Sequence, residues 1–313
     1  MARSIHLKKQ NMIRTIILIT TGTIAALFAF AYWYVFVEGA PQLDAPAAEV
    51  QLPDGLRFQL QSFNSQAMGT QRQYGVILPP GYAQHLDRRY PVIFLLHGGH
   101  DDARAYADKY GIVPLLDQLY HSDKLPPSIV ITPDGNDDRG SSPLFDPQYF
   151  DGENGKVGTL IGSELVQVVK SRYRTMESPQ FWAIGGISSG GWGALNIGLR
   201  HLNHFSVMFS HSGYFTDNSG AQNSPQTFIG QLPPQQLQQV RIYLDAGRND
   251  TDFVASTQQF HQRLNQLDIP NEFNIFPGGH GLSGADIGWN YFHKHLNDSL
   301  TYVGEQFKQR MQN

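Results

Sequence analysis

The chain has 313 residues, 41% hydrophobic, 12% aromatic and 16% charged, which is enough apolar material for a full core and excludes a disordered or fibrous protein. It holds no Cys, which rules out disulfide frameworks, thiolate zinc sites, cysteine nucleophiles and lipoprotein anchors, and leaves oxygen, imidazole and carboxylate chemistry. The first fourteen residues carry Arg3, Lys8, Lys9 and Arg14 and no acid; the rest carries 19 basic against 27 acidic side chains, a net charge of −8 with no basic run, which speaks against nucleic acid as a partner.

From Thr15 to Val37 the sequence runs uncharged for about the length that crosses a bilayer as a helix. Four cations precede it and Glu38 follows, so the positive-inside bias predicts a cytoplasmic basic segment at 1–14, a transmembrane anchor at 15–37 and a catalytic body on the far side. Tyr32, Trp33 and Tyr34 then fall at the outer interface. A cleaved, secreted form competes, because Ala29 and Ala31 make a small-x-small site after an apolar stretch. Residues 38–53, rich in Pro and Ala, read as a linker, and the body spans 54–313.

In the body, strands are predicted at 57–63, 72–78, 91–96, 128–132, 181–185, 206–210, 241–245 and 272–276, from short β-branched or aromatic runs. The runs at 91–96 and 128–132 are apolar on both faces, as central strands of a covered sheet are. Helices are predicted at 160–173, where Ile161, Leu165, Val168 and Val169 share one face, directly after Ser188, at 255–267 and at 289–296. This alternation implies one α/β domain around a mostly parallel central sheet flanked by helices.

Three loops carry chemistry. After the strand at 91–96 comes His97-Gly98-Gly99-His100, a turn whose glycines let backbone N–H groups approach a substrate; His100 is a candidate lining residue. After the strand at 181–185, Gly186-Ile187-Ser188-Ser189-Gly190 spells G-x-S-x-G and runs into a small-residue helix, the strand-turn-helix that projects a strained serine from a sheet edge. Ser188 is therefore the candidate nucleophile. Ser189 is the competing one, although its backbone N–H is the more useful group, paired with that of Gly99 as an oxyanion hole. A serine hydroxyl needs a neutral imidazole to take its proton and a carboxylate to orient that imidazole. The loops after the last two strands supply Asp250 and His280, with Asp252 and Asp245 as alternative acids. His293 and His295, two apart on a helix, point apart and read as surface residues.

Two further segments invite functional readings. Residues 134–153 cluster six carboxylates around glycines without EF-hand spacing, so a solvated loop is favoured over a calcium site; Phe145, Tyr149 and Phe150 are offered as lining for a cleft. Residues 216–239 are long for a connection and read either as a lid or as a surface insertion.

In motif order the chain resembles the esterase family of α/β-hydrolases, which includes feruloyl and acetylxylan esterases, S-formylglutathione hydrolase, enterochelin esterase and the antigen 85 mycolyltransferases. The resemblance covers roughly residues 69–300 and rests on YGVILPPGY at 74–82, RRYPVIFLLHGGH at 88–100, ITPDGN at 131–136, SRYRT at 171–175, GGISSGGWGAL at 185–195, SHSGYF at 210–215, AGRND at 246–250 and PGGH at 277–280. It implies an α/β-hydrolase fold with Ser188 as nucleophile, Asp250 as acid, His280 as base, and Gly99 and Ser189 as oxyanion donors. Trp192 and Trp289 join His100 as candidate substrate-binding residues. Trp289 lies farther beyond the histidine than the family pattern suggests, and Ser189 stands where Met is frequent. The expected activity is serine carboxylic-ester hydrolysis outside the cytoplasm, with no cofactor and no metal. An acyltransferase on the same triad and a non-catalytic binding module are the alternatives.

Overall fold

The computed structural model describes residues 2–33, 55–141, 146–281 and 284–312. Two compact units divide the chain, Met1–Leu43 and Asp44–Asn313. In the first, helix α1 spans Ala2–Tyr32. Its segment Asn11–Tyr32, 22 residues of mean hydropathy 1.9, is long and apolar enough to cross a membrane. Tyr34, the expected end of that span at Val37 and the linker at 38–53 lie outside the described residues.

The second unit is built on an eight-stranded sheet. Its strands are β1 (Phe58–Asn64), β2 (Gln71–Ile77), β3 (Val92–Leu96), β4 (Ile129–Pro133), β5 (Trp182–Ile187), β6 (Val207–His211), β7 (Arg241–Gly247) and β8 (Asn271–Phe276). They lie in the order β1-β2-β4-β3-β5-β6-β7-β8. β1 and β2 pair antiparallel, as do β2 and β4, and every pairing from β4 to β8 is parallel. All eight predicted strands are present within a residue or two of their expected ends.

The pleat sends alternate residues to opposite faces, and both faces are covered. On one side Phe94, Leu96, Ile131 and Ile184 pack with α3 (Val166–Arg172), α4 (Ser189–Gly198) and α5 (Thr251–Gln266). On the other, Ile93, Leu95, Val130 and Phe209 pack with α2 (Ile112–His121) and α6 (Trp289–Met311). The parallel strands therefore end together along one edge, and the loops leaving β3, β5, β6, β7 and β8 gather there.

Several expectations are corrected. Helix α2 was not foreseen, although Ile112, Leu115, Leu116 and Leu119 bury one face; Pro114 lies in its first turn, where no helical N–H bond is lost. The predicted helix at 160–173 opens with wider π-type turns over Leu160–Leu165 before α3. Helix α6 runs on past Leu296 to Met311, because buried Ser299 and Gln306 interrupt an apolar stripe that continues through Leu300, Val303 and Phe307. His295 is not a surface residue: it is 3% exposed, stacks on Phe276 at 3.9 Å and bonds Asp298. His293 bonds the Tyr110 carbonyl. Residues 216–239 form short helical turns at Pro225–Phe228 and Pro234–Leu237 that bury Phe228, Ile229 and Leu237, so they are packed rather than a loose insertion.

The acidic loop also finds protein partners. Asp137 is buried and holds Arg139, Asp134 faces Arg72, and Asp151 accepts the Thr159 N–H and hydroxyl. Among the described residues no cluster of three or more His, Cys, Asp or Glu is arranged to hold a metal. Tyr149 is buried and donates its hydroxyl to the His97 carbonyl, and Phe145 lies outside the described residues.

The core beneath the central strands predicts a measurable cost of truncation. Phe205 is fully buried, edge-on to Phe94 at 5.3 Å and to Trp182 at 6.3 Å. Phe205→Ala is expected to lower unfolding free energy by about 3–5 kcal/mol, read as a shift of the urea midpoint at unchanged m-value.

Candidate active site

Ser188 follows the last residue of β5 and precedes the first of α4. Its φ of 56° and ψ of −122° lie where a non-glycine residue carries strain of about 1–3 kcal/mol. The turn is held from several sides: the Ser188 N–H donates to the His211 carbonyl at 2.9 Å, and its carbonyl accepts from Gly191 at 2.9 Å and Trp192 at 3.2 Å. Gly190 is needed because a Cβ there would run into the backbone carbonyls of Leu96 and His97. That closeness seats the loop after β3 directly on the start of α4. The N–H groups of Gly99 and Ser189 donate to no other backbone carbonyl in the described residues.

Asp250 and His280 are brought together. His280 Nδ1 lies 2.8 Å from Asp250 Oδ2, and the His280 N–H donates to both carboxylate oxygens at 2.9 and 3.0 Å. The loop makes this approach through Gly279 at φ 139°, where a Cβ would stand 2.5 Å from the Asp250 carboxyl. His280 stacks on Phe253 at 4.5 Å and meets Phe292 edge-on. Its Nε2 is buried and has no hydrogen-bond partner among the described residues. Ser188 and His280 make no hydrogen bond to each other among the described contacts. Apo sites are often looser than the Michaelis complex.

One member of this group was missed in the sequence. Ser212, buried and at φ 44°, donates to Asp250 Oδ2 at 2.9 Å, while its oxygen accepts the Gly247 N–H at 3.1 Å. It follows His211, the partner of Ser188 across β6, and so links the serine turn to the acid loop. Its only sequence trace is its place in SHSGYF.

The alternative acids are placed elsewhere. Asp252 lies exposed in the first turn of α5. Asp245 lies inside β7, fully buried, 2.7 Å from His211 Nδ1; His211 Nε2 meets Ser299 Oγ at 2.9 Å, and Tyr291 donates to Asp245. This second Ser-His-Asp set is sealed from solvent, and it ties α6 to β6 and β7. His97 is likewise structural in its contacts, buried with Nε2 accepting the Gly135 N–H.

A cleft of about 560 Å³ is walled by Arg139, Asp146, Phe150, Trp192, Tyr214 and Asp217 among others; neither Ser188 nor His280 lines it, and Trp192 and Asp146, which lies over Gly99, connect it to the serine turn. Trp192 is one turn beyond Ser188, stacks on Tyr214 at 5.3 Å and donates its indole N–H to the Asn223 carbonyl. Tyr214 in turn lies 6.4 Å from Phe253, the ring under His280. His100, half-buried at φ 65°, and Trp289, which faces Lys109 Nζ at 5.3 Å, are not among the cleft's walls.

Burial alone raises the Asp250 carboxyl, but the bonds from His280 and Ser212 outweigh it and hold the group below the usual carboxylate range. A depressed folded-state value stabilises the protein above the unfolded value of about 3.9 and ceases to do so as pH falls through the folded one. The stability advantage of the natural protein over Asp250→Asn is therefore expected to be full above about pH 5 and to shrink below about pH 4, measured as paired urea midpoints across that range.

Comparisons with known proteins bear on the family and the fold. Residues 65–303 match the protein family described as "Putative esterase". Esterase Rv1288 of Mycobacterium tuberculosis is 26% identical over 263 residues, covering 70% of this chain and 54% of the relative; the chain thus spans about half the length of the curated relatives it matches. A solved ferulic acid esterase superposes with a TM-score of 0.70 at 25% identity, over 80% of this chain and 98% of that one. A ferulic acid esterase from Anaeromyces mucronatus shares the fold at 16% identity, with a TM-score of 0.63 over 85% and 96% of the two chains. The expected α/β-hydrolase fold is thereby established.

Proposed function

Because the chain belongs to the esterase family, we propose that it is a serine carboxylic-ester hydrolase working through Ser188, His280 and Asp250. The observation that supports this reading is a strained serine turn leaving the same sheet edge as a loop whose imidazole is oriented by a carboxylate and whose Nε2 has no hydrogen-bond partner among the described residues. In the proposed reaction Ser188 Oγ attacks the ester carbonyl while His280 Nε2 takes its proton. Asp250, accepting from Nδ1–H, fixes the tautomer and stabilises the imidazolium. The N–H groups of Gly99 and Ser189 receive the developing oxyanion. His280 returns the proton to the departing alcohol, and water, deprotonated by the same imidazole, releases the acyl group from Ser188. Ser212 acts through Asp250 as a positioning residue.

The N-terminal helix is read as a membrane anchor. Twenty-two residues of helix span about 33 Å, close to the ~30 Å hydrocarbon core; three cations before the segment and Arg14 near its start favour a cytoplasmic N-terminus with the catalytic unit outside.

Ser188→Ala is expected to lower kcat/KM for an aryl ester by at least about a thousandfold, with circular dichroism and thermal midpoint little changed. Hydrolysis retained near the natural rate in a pure preparation would overturn the assignment.

A further inference from the structure

The cleft walled by Trp192 and Tyr214 has a sign of charge. Three of its wall residues are ionic: Arg139, Asp146 and Asp217. The guanidinium of Arg139 lies bidentate on buried Asp137, Nε to Oδ1 at 2.9 Å and Nη2 to Oδ2 at 2.6 Å, and Nη2 also donates to the Asp146 carbonyl at 3.3 Å; its charge is matched by Asp137 behind the wall. Among the described residues no cation forms an ion pair with the Asp146 or Asp217 carboxylate, and Asp217 Oδ1 accepts the N–H and hydroxyl of Ser219. The exposed Asp146 carboxylate lies over Gly99, where a Cβ would strike Oδ1, and so borders the proposed oxyanion site. The field of both reaches into the cleft: after burial, their charges are the next causes that hold the Tyr214 phenol above its usual range. Between them the stacked Trp192 and Tyr214, with Phe150 edge-on to Trp192 at 6.1 Å, supply apolar and π surface.

Resting on the esterase reading of the site, we infer that this cleft selects substrates by charge, favouring esters whose alcohol carries an ammonium group over uncharged ones and disfavouring those that carry a carboxylate or phosphate. Two unmatched carboxylates attract a cation through Coulomb interaction and add hydrogen-bond acceptors for its N–H groups or for neutral hydroxyls; an anionic alcohol meets the same field as repulsion. An aromatic wall adds attraction for a cation near a ring face. Because both carboxylates are at least partly exposed, each contributes modestly, and the selection fades with salt.

The test uses the full chain and three esters of one acyl group: with choline, with its uncharged carbon isostere 3,3-dimethylbutanol, and with 3-hydroxypropionate. At 20 mM salt kcat/KM is expected to fall in that order, with roughly tenfold between the ends, and the ratio to shrink at 0.5 M salt. In Asp146→Asn/Asp217→Asn the ratio of choline to hydroxypropionate ester is expected to fall to near one; because a ratio is read, a general loss of activity does not mimic the result. Brisk hydrolysis of all three at equal rates, or a charge preference that survives the double substitution, would overturn charge selection alone. Hydrolysis of none by the natural protein would overturn it together with the esterase reading.

Discussion

The backbone of Gly190 rests against the carbonyls of Leu96 and His97, and from this contact the geometry of the site follows. It brings the start of α4 onto the end of β3, so the turn at Ser188 and the loop at Gly99 are set at one fixed separation. Two neighbouring parallel strands supply the frame: β5 delivers the serine, and β6 holds it through the bond from the Ser188 N–H to the His211 carbonyl. The strain of the Ser188 backbone is sustained because these bonds and the helix behind it leave no relaxed alternative. A rigid seat of this kind lets backbone dipoles point at a developing charge without reorganising when it forms.

Two His-carboxylate pairs lie within a few residues of each other in the fold, and exposure distinguishes their roles. His211, Asp245 and Ser299 form the more closely bonded set, yet all three side chains are sealed and every ring nitrogen is occupied. His280 and Asp250 have the same short contact, but the imidazole side chain is a third exposed and one nitrogen has no partner. Hydrogen-bond geometry by itself would choose the sealed set. The buried set braces α6 against β6 and β7. Ser212 links the two sets, adjacent to His211 in the chain and bonded to Asp250.

The sheet was legible because its strands are short, apolar and regularly spaced, and because G-x-S-x-G and H-G-G each follow a strand. Asp250 could be separated from Asp245 by position, since the latter stays within strand spacing. What the sequence hid were interactions made by polar residues in buried places. His295 and Ser299 break the apolar rhythm of α6 and conceal its length, while Pro114 conceals α2. Ser212 resembles any other serine until its φ and its bond to Asp250 are seen. The charge of the cleft was equally invisible, because Asp146 and Asp217 lie 71 positions apart and Arg139, the nearby cation, is matched by a residue outside the wall. Sequence counts alone make the acidic loop look like a solvated surface; in the fold Asp134 and Asp137 pair with Arg72 and Arg139, Asp151 bonds Thr159, Asp138 and Glu153 stay exposed, and Asp146 borders the cleft.

The central claim is that Ser188 is a nucleophile activated by His280. Its most direct test is reaction of the full chain with a fluorophosphonate, followed by peptide mapping and a rate comparison with His280→Ala. The account predicts a single adduct on Ser188, formed at least about a hundredfold more slowly in the variant. An adduct on Ser189 or another serine, or labelling of Ser188 at the natural rate without His280, would contradict it.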